Sequence, residues 1–397
     1  MGFDWYVGGD PVMPAHHAHA KHTRHIGRSR IVLILAVVVV VGAIGLVAVS
    51  RTSGAKVSAT PTTAAPVHET VSTGPLDVVS ISPVDGAAGV PSDTTIAVQF
   101  SEPLAAHSPL PTLTPPVAGT WQRATPTTLD FVASAPLVPS STETLTVPAG
   151  SGGVVSDGGI ALGQAATVHF SVAAGSTLRL QQLLAQLGYL PVSFSPAGPL
   201  TAPQELAQPQ EGTFTWRFTE PASLVSLWTP GTANVVTKAA VMSFENKHNI
   251  QADGEAGPGV WSQLLADASA GSIDTDAYNY VYVSKTLPQR ATVYSNGAAV
   301  YSTLANTGVP AAETASGTFP VFEHLTVTTM SGTNPDGTKY KDPGIPWVSY
   351  FNGGDALHGF VRGGYGYPQS DGCVEMPPAN AGVVYPYTPI GTLVTVS

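Results

Sequence analysis

The chain has 397 residues, enough for two to four domains of about 100–200 residues each, with a formal net charge of −10 and charged residues at only 11% of positions. That acidic balance excludes the electrostatic footprint of a nucleic-acid-binding protein. Abundant Gly, Pro, Ser, Thr and Val describe a β-rich, exported chain, and the single cysteine, Cys373, excludes an intramolecular disulfide.

Residues 1–30 form a polar, His-rich tail that ends in Lys21, Arg24, Arg28 and Arg30. The imidazoles of His16, His17, His19, His22 and His25 read as part of a basic tail, and no metal site is expected. Ile31–Val49 is uninterrupted and apolar, close to the length that crosses a bilayer as a helix. The basic residues before it leave the N-terminus in the cytoplasm and the rest outside. A cleaved signal peptide normally has a shorter apolar core of about 7–15 residues, so an uncleaved single-pass anchor is the expectation. The Thr/Ala/Pro/Ser-rich segment 50–75 lacks hydrophobic periodicity and reads as an extended linker.

Residues 76–174 break into short β-branched runs separated by Pro, Gly, Asp and Ser. Strands are expected at Asp77–Ile81, Thr95–Phe100, Thr128–Val132, Glu143–Val147 and Ala166–Val172, a spacing that predicts a β-sandwich. His107 and His169 read as surface and strand residues. The opening Ser82-Pro83-Val84-Asp85-Gly86 and the later Phe100-Ser101-Glu102-Pro103-Leu104 resemble bacterial immunoglobulin-like domains, which implies a spacer or docking module.

Residues 175–270 switch to helical periodicity. Leu180, Leu183, Leu184 and Leu187 share one face of a helix that Ser176 caps and Gly188 ends, and Ala240, Val241, Phe244 and His248, then Val260, Trp261, Leu264 and Leu265, repeat the pattern. Leu187-Gly188-Tyr189, Phe244, Asp253-Gly254, Gly257-Pro258 and Trp261 are similar to the small helical peptidoglycan-binding domain. The match is split by an insertion, 191–236, in which Thr213–Phe218 reads as an extra hairpin strand. Wall binding and a packing role are both open for this module.

Residues 276–397 are the candidate catalytic domain, expected to be mostly antiparallel and sandwich-like. Tyr278, Tyr280 and Tyr282 alternate with Val281 and Val283, as in a strand. Ser295-Asn296-Gly297 between Ala291–Tyr294 and Ala298–Tyr301 predicts a hairpin. Further strands are expected through Pro320–Met330, Pro346–Tyr350 and Gly391–Val396, with a polar Gly-rich loop at 331–344 over a cleft.

Chemistry concentrates between Leu357-His358-Gly359 and Ser370-Asp371-Gly372-Cys373-Val374-Glu375. A thiol attacks as thiolate, so it needs a base or a positive field, and donors for the oxyanion it creates. His358 is the nearest base, Gly372 permits a tight turn, and a short helix over Pro377–Val384 adds a modest positive field. Taken singly, the Cys also reads as a small buried hydrophobe and the His as a structural residue; together in a Gly-rich stretch they point to catalysis. No phosphate-cradling loop, nucleotide fingerprint or cofactor motif is present.

His358-Gly359, the Gly-rich spacer and Ser370-x-Gly372-Cys373-Val374 resemble the active-site signature of the L,D-transpeptidases, cell-wall enzymes with a cysteine nucleophile, and Thr314–Phe319 is similar to another stretch of that family. Two positions depart from the pattern: Asp371 stands where a His is common, and Glu375 where Asn or Arg is common. The resemblance implies that Cys373 attacks the amide between the third and fourth residues of a donor stem peptide. His358 would then hold an imidazolium beside the thiolate and hand its proton to departing D-alanine, with the Gly359 carbonyl orienting its ring. The N–H groups of Gly372 and Cys373 would form the oxyanion hole, and an acceptor amine would complete a cross-link between third residues. Peptidoglycan stem peptides are the implied partners, and carbapenems the implied acylating inhibitors of Cys373. Tyr350 and Met330 are candidates for the donor pocket or the core. Arg362 and Tyr365 are candidates for a substrate carboxylate, Arg362 equally for a structural ion pair. Ser370 belongs to the site by motif, and Asp371 and Glu375 either bind an acceptor's amino group or are solvated. His324 reads as structural. A carboxypeptidase, with water replacing the amine, and a catalytically silent wall-binding scaffold are the alternatives.

Overall fold

A computed structural model describes residues 74–397. The basic tail, the segment Ile31–Val49 and all but the last two residues of the linker lie outside them. Among the described residues, no helix is long and apolar enough to cross a membrane.

The first region holds strands β1 (Val78–Ser82), β2 (Ala87–Val90), β3 (Ile96–Phe100), β4 (Thr112–Thr114), β5 (Gly119–Thr125), β6 (Thr128–Ala133), β7 (Thr142–Val147) and β8 (Ala166–Val172). They form two four-stranded sheets, ordered β1-β3-β6-β5 and β2-β8-β7-β4. Inward residues alternate along each strand: Ile96, Val98 and Phe100 on β3 meet Leu145 and Val147 on β7 and Val168, Phe170 and Val172 on β8 in one apolar core. All five expected strands are present. Strands β2, β4 and β5 are additional, and β5 is mostly exposed, so it lacks the alternation that reveals a half-buried strand.

Helix α1 (Thr177–Gln186) follows, its first turn capped by the Ser176 hydroxyl, which accepts from the Arg179 N–H at 3.1 Å. Segment 191–236 contributes the hairpin β9 (Val192–Pro196) and β10 (Gly212–Trp216) and the single turn α2 (Ala222–Val225). Helices α3 (Val235–Lys247) and α4 (Pro258–Ala270) complete the region. Leu183, Leu184, Phe244, Trp261 and Leu264 are fully buried together, and the hairpin residues Val192 and Phe194 belong to the same cluster. The insertion therefore supplies part of this core rather than interrupting it.

The last region has a five-stranded sheet of β11 (Asn279–Ser284), β12 (Arg290–Ser295), β13 (Ala298–Leu304), β14 (Gly317–Pro320) and β19 (Leu393–Val396), ordered β13-β12-β11-β19-β14. The β12–β13 turn places Asn296 at φ 48° and Gly297 at φ 77°, the left-handed pair that an Asn-Gly hairpin requires. Both faces of the central strand are covered. Val281 and Val283 enter the catalytic core, while Tyr280 packs into the helical cluster with Tyr278 and Tyr282 against it. The helical region and the catalytic sheet thus share a core.

The second sheet is ordered β15 (Glu323–Thr333), β16 (Lys339–Asn352), β17 (Asp355–Gly359) and β18 (Val374–Met376), with α5 (Pro378–Val384) packed on β16 and β17. Two expectations are corrected here. The stretch 331–344 is the end of a long β15–β16 hairpin, with Asn334–Thr338 as its turn, because residues 339–342 pair with Met330–Thr333. The stretch 357–376 is not wholly a Gly-rich loop: its ends are β17 and β18, paired in parallel. Together with the parallel β11–β19 pair, this makes the domain less uniformly antiparallel than its sequence suggests.

Candidate active site

Parallel pairing requires a crossover of about a dozen residues or more, and residues 360–373 provide it. In the resulting register Leu357 lies beside Val374 and His358 beside Glu375, so His358 and Cys373 come to one cleft of about 190 Å³. Met330, Asn334, Tyr340, Asp342 and Ile345 from the β15–β16 hairpin line it, with Phe360, Arg362, Asp371 and Glu375.

His358 is buried, and its Nδ1 lies 3.1 Å from the Gly359 carbonyl oxygen. A carbonyl only accepts, so Nδ1 carries the proton and Nε2 is left as the basic nitrogen. Burial pushes the imidazole below its ordinary range; the Gly359 carbonyl and Glu375 pull it back up, and Arg362 opposes them. At neutral pH His358 is accordingly an uncharged base.

The Cys373 thiol donates to the Gly354 carbonyl at 3.5 Å. Burial pushes it up to about 12; the Ala356 N–H, which points at the sulfur, works in the opposite direction, and Asp355, Glu375 and Asp371 raise it further. Both shifts favour the uncharged forms, thiol and imidazole. Partial burial and the neighbouring carboxylates both favour the uncharged sulfur over the thiolate that the family resemblance implies.

Immediately before Cys373, Gly372 has φ 115°. A side chain there would be strained, and its Cβ would lie 2.5 Å from Asp355 Oδ1. Ser370 is buried and its hydroxyl donates to the Cys373 carbonyl at 2.5 Å, so it braces the turn instead of meeting a substrate.

Arg362 and Glu375 engage each other. Nε and Nη2 of Arg362 donate to the two carboxylate oxygens of Glu375 at 2.8 and 2.7 Å, and the guanidinium lies over the Phe360 ring, 4.6 Å from its centroid. Glu375 is buried, so neither a solvated carboxylate nor a free contact for an amine describes it. The Tyr365 hydroxyl donates to the Phe360 carbonyl at 2.6 Å and accepts from the Arg362 N–H at 3.0 Å. Both hydrogen bonds stay within the crossover, and Tyr365 is not among the residues that line the cleft.

Asp371 is exposed at the cleft. Met330 lines the cleft and, with Tyr350, packs on the cluster of Ile345, Val348 and Ala356 beneath Cys373. His324 stacks on Tyr385 with ring centroids 3.7 Å apart and reaches its carbonyl at 3.1 Å. Two supporting residues escaped the sequence reading. Asn306 exchanges backbone hydrogen bonds with Glu375 at 2.8 and 2.9 Å, and its side chain accepts from the Gly366 N–H at 2.9 Å; a lone Asn between strands gives no sequence signal. Asp355 follows Asn352-Gly353-Gly354, a turn sequence just upstream of His358 that was available as a cue.

Residues 278–396 match the family model of the L,D-transpeptidase catalytic domain, and residues 72–172 that of a bacterial Ig-like domain. Neither match extends into 173–277. No curated protein matches the chain. Similar solved structures include an L,D-transpeptidase from Mycobacterium smegmatis, 14% identical over 82% of this chain and 100% of that one, TM-score 0.28. Another is L,D-transpeptidase 3 from Mycobacterium tuberculosis with a faropenem-derived adduct, 12% identical over 81% of this chain and 98% of that one, TM-score 0.28. A third is the catalytic domain of the E. faecium L,D-transpeptidase acylated by ertapenem, 25% identical over 31% of this chain and 99% of that one, TM-score 0.28. By these two matches, residues 278–396 are an L,D-transpeptidase catalytic domain and residues 72–172 a bacterial immunoglobulin-like domain.

Proposed function

We propose that the protein is a membrane-anchored L,D-transpeptidase that links third residues of peptidoglycan stem peptides through a Cys373 acyl-enzyme. The observation that carries this reading is the placing of the chain's one cysteine and a buried histidine in a single cleft, inside the segment that matches the family.

The donor's amide carbonyl enters beside Cys373. Nε2 of His358 takes the thiol proton as the sulfur adds to the carbonyl carbon, so the thiolate forms only as it is consumed. The N–H groups of Gly372 and Cys373 receive the developing oxyanion. Collapse breaks the C–N bond, His358 returns the proton to the departing D-alanine, and a thioester remains. An acceptor amine then attacks the thioester carbonyl and releases Cys373. A carbapenem presents a strained amide carbonyl to the same sulfur and is expected to acylate it.

The apolar segment Ile31–Val49, behind its basic residues, supports anchoring with the catalytic part outside the membrane. The 50–75 linker and the immunoglobulin-like domain set reach, and the helical region buttresses the catalytic sheet through their shared core.

The test is incubation of the full-length protein with a disaccharide tetrapeptide, followed by mass spectrometry of the products, alongside Cys373→Ala. Cross-linked dimer with free D-alanine, absent in the variant, is expected. D-Alanine without dimer identifies a carboxypeptidase, and no turnover by folded protein leaves the silent scaffold.

A further inference from the structure

Asp355 lies in neither segment of the transpeptidase signature, yet it touches three pieces of chain around the nucleophile. Its Oδ2 accepts from the Ala315 N–H and from the Asn352 side-chain amide, each at 3.2 Å. Its Oδ1 fills the space that a side chain at Gly372 would occupy. It also follows Gly354, whose carbonyl accepts from the Cys373 thiol.

The Ala315 contact leads back to the nucleophile by a second route. Neighbouring Thr314 is buried, and its hydroxyl accepts from the Gly308 N–H at 2.8 Å. Gly308 is bridged to Ser370, whose carbonyl accepts from the Val309 N–H at 2.9 Å, and the Ser370 hydroxyl reaches the Cys373 carbonyl. The nucleophile turn thus has Oδ1 packed against Gly372 on one side, and on the other it is linked to Oδ2 through Ser370 and the hydrogen-bonded segment 308–315.

We infer that Asp355 is a positioning residue for Cys373: its carboxylate, fixed by Ala315 and Asn352, packs against Gly372 and sets a negative charge beside the sulfur. The inference rests on the transpeptidase reading for its consequence in catalysis, though not for its effect on the sulfur. Other charged or titratable groups around Cys373 are Glu375 on β18, Asp371 on its own turn, His358 on β17, and Tyr340 and Tyr350 on β16. Arg362 is neutralised against Glu375, and Asp342 lines the outer cleft. Asp355 borders the sulfur and packs against the turn from outside it, so charge and position can be separated by substitution there.

The experiment uses the full-length protein, in which iodoacetamide alkylation reads Cys373 alone because there is no other thiol. Asp355→Asn removes the charge and keeps the shape. Its alkylation at pH 8 is expected to be about three- to tenfold faster than wild type, as loss of one adjacent charge lowers a thiol's pKa by up to about a unit, while tetrapeptide turnover falls at unchanged KM. Asp355→Glu keeps the charge but crowds Gly372; it is expected to alkylate as slowly as wild type and to lose turnover. An Asp355→Asn profile of alkylation against pH that superimposes on wild type, in a protein with unchanged circular dichroism, overturns the inference. The alkylation arm needs no wall substrate, so an inactive wild type would refute the transpeptidase reading and leave this result interpretable.

Discussion

The two β-sandwiches of this chain each contain a late strand that returns parallel to an earlier one, and the two returns differ in what they bury. In the immunoglobulin-like domain β8 runs parallel to β2, and the pair buries Val90, Phe170 and Val172. In the catalytic domain β18 runs parallel to β17, and the pair buries His358 and Glu375 beside Val374 and Met376. The parallel return alone therefore makes no site. Chemistry comes from the crossover 360–373, which delivers Arg362 to neutralise Glu375 and Cys373 to meet His358. The first parallel pair closes on hydrocarbon, while the second keeps His358 and Glu375 buried and has to satisfy the polar groups around them.

The sharpest way to break this comparison is at glycines with positive φ in the two domains. Gly372→Ala drives a Cβ into Asp355 and is expected to lower the rate of Cys373 acylation by about a hundredfold or more, since small displacements of a reacting atom are that costly. Gly86 in the first sandwich has φ 75° with open space around it; Gly86→Ala is expected to cost about 1 kcal/mol and to leave acylation unchanged. Stopped-flow acylation with urea denaturation reads both. Equal kinetic effects would mean that the nucleophile turn is not special.

A smaller effect is expected from the ion pairs. Arg362→Ala leaves Glu375 buried without a partner and should destabilise the catalytic domain by about 3 kcal/mol, seen as an earlier urea transition; adding Glu375→Gln should recover much of it. The His169–Asp85 pair of the first sandwich is exposed, and His169→Ala, which keeps the backbone N–H that Asp85 accepts from, should leave the urea midpoint close to where it was.

Much of this architecture is readable from the chain, and what is not has physical causes. Strands β1, β3, β6, β7 and β8 announce themselves by β-branched alternation, and the β12–β13 hairpin by Asn296-Gly297. Strands β17 and β18 are short and buried on both faces, so they show no alternation, and Gly359 reads as a loop residue. In the β15–β16 hairpin, Lys339, Lys341 and Asp342 resemble a polar loop because that end of the hairpin is exposed on one side. Cys373 and His358 stand out by motif. The pairing of Arg362 with Glu375 is not, because nothing local says that the crossover folds back. Nor is the preference for the uncharged thiol, which depends on burial and on Asp355, an upstream neighbour in space.

The smallest effect lies in the helical region that both sandwiches flank in sequence. Glu245 on α3 is buried and accepts from the Gly254 N–H at 2.8 Å. Burial pushes its carboxyl up to about 7, against the Gly254 contact. A carboxyl whose folded pKa is raised contributes stability below its unfolded value and loses it as pH rises through the folded one. The melting temperature of the wild type should therefore fall by a few degrees relative to Glu245→Gln between pH 5 and pH 8. Parallel curves would show that Glu245 is already ionised at pH 5.

The most direct test of the central claim, that Cys373 is the acyl-accepting nucleophile, is intact and peptide-mapped mass spectrometry of the full-length protein after exposure to ertapenem. One adduct per chain on the peptide containing Cys373, absent in Cys373→Ala, is the result predicted. Folded wild-type protein without an adduct, or an adduct that persists in Cys373→Ala, would contradict it.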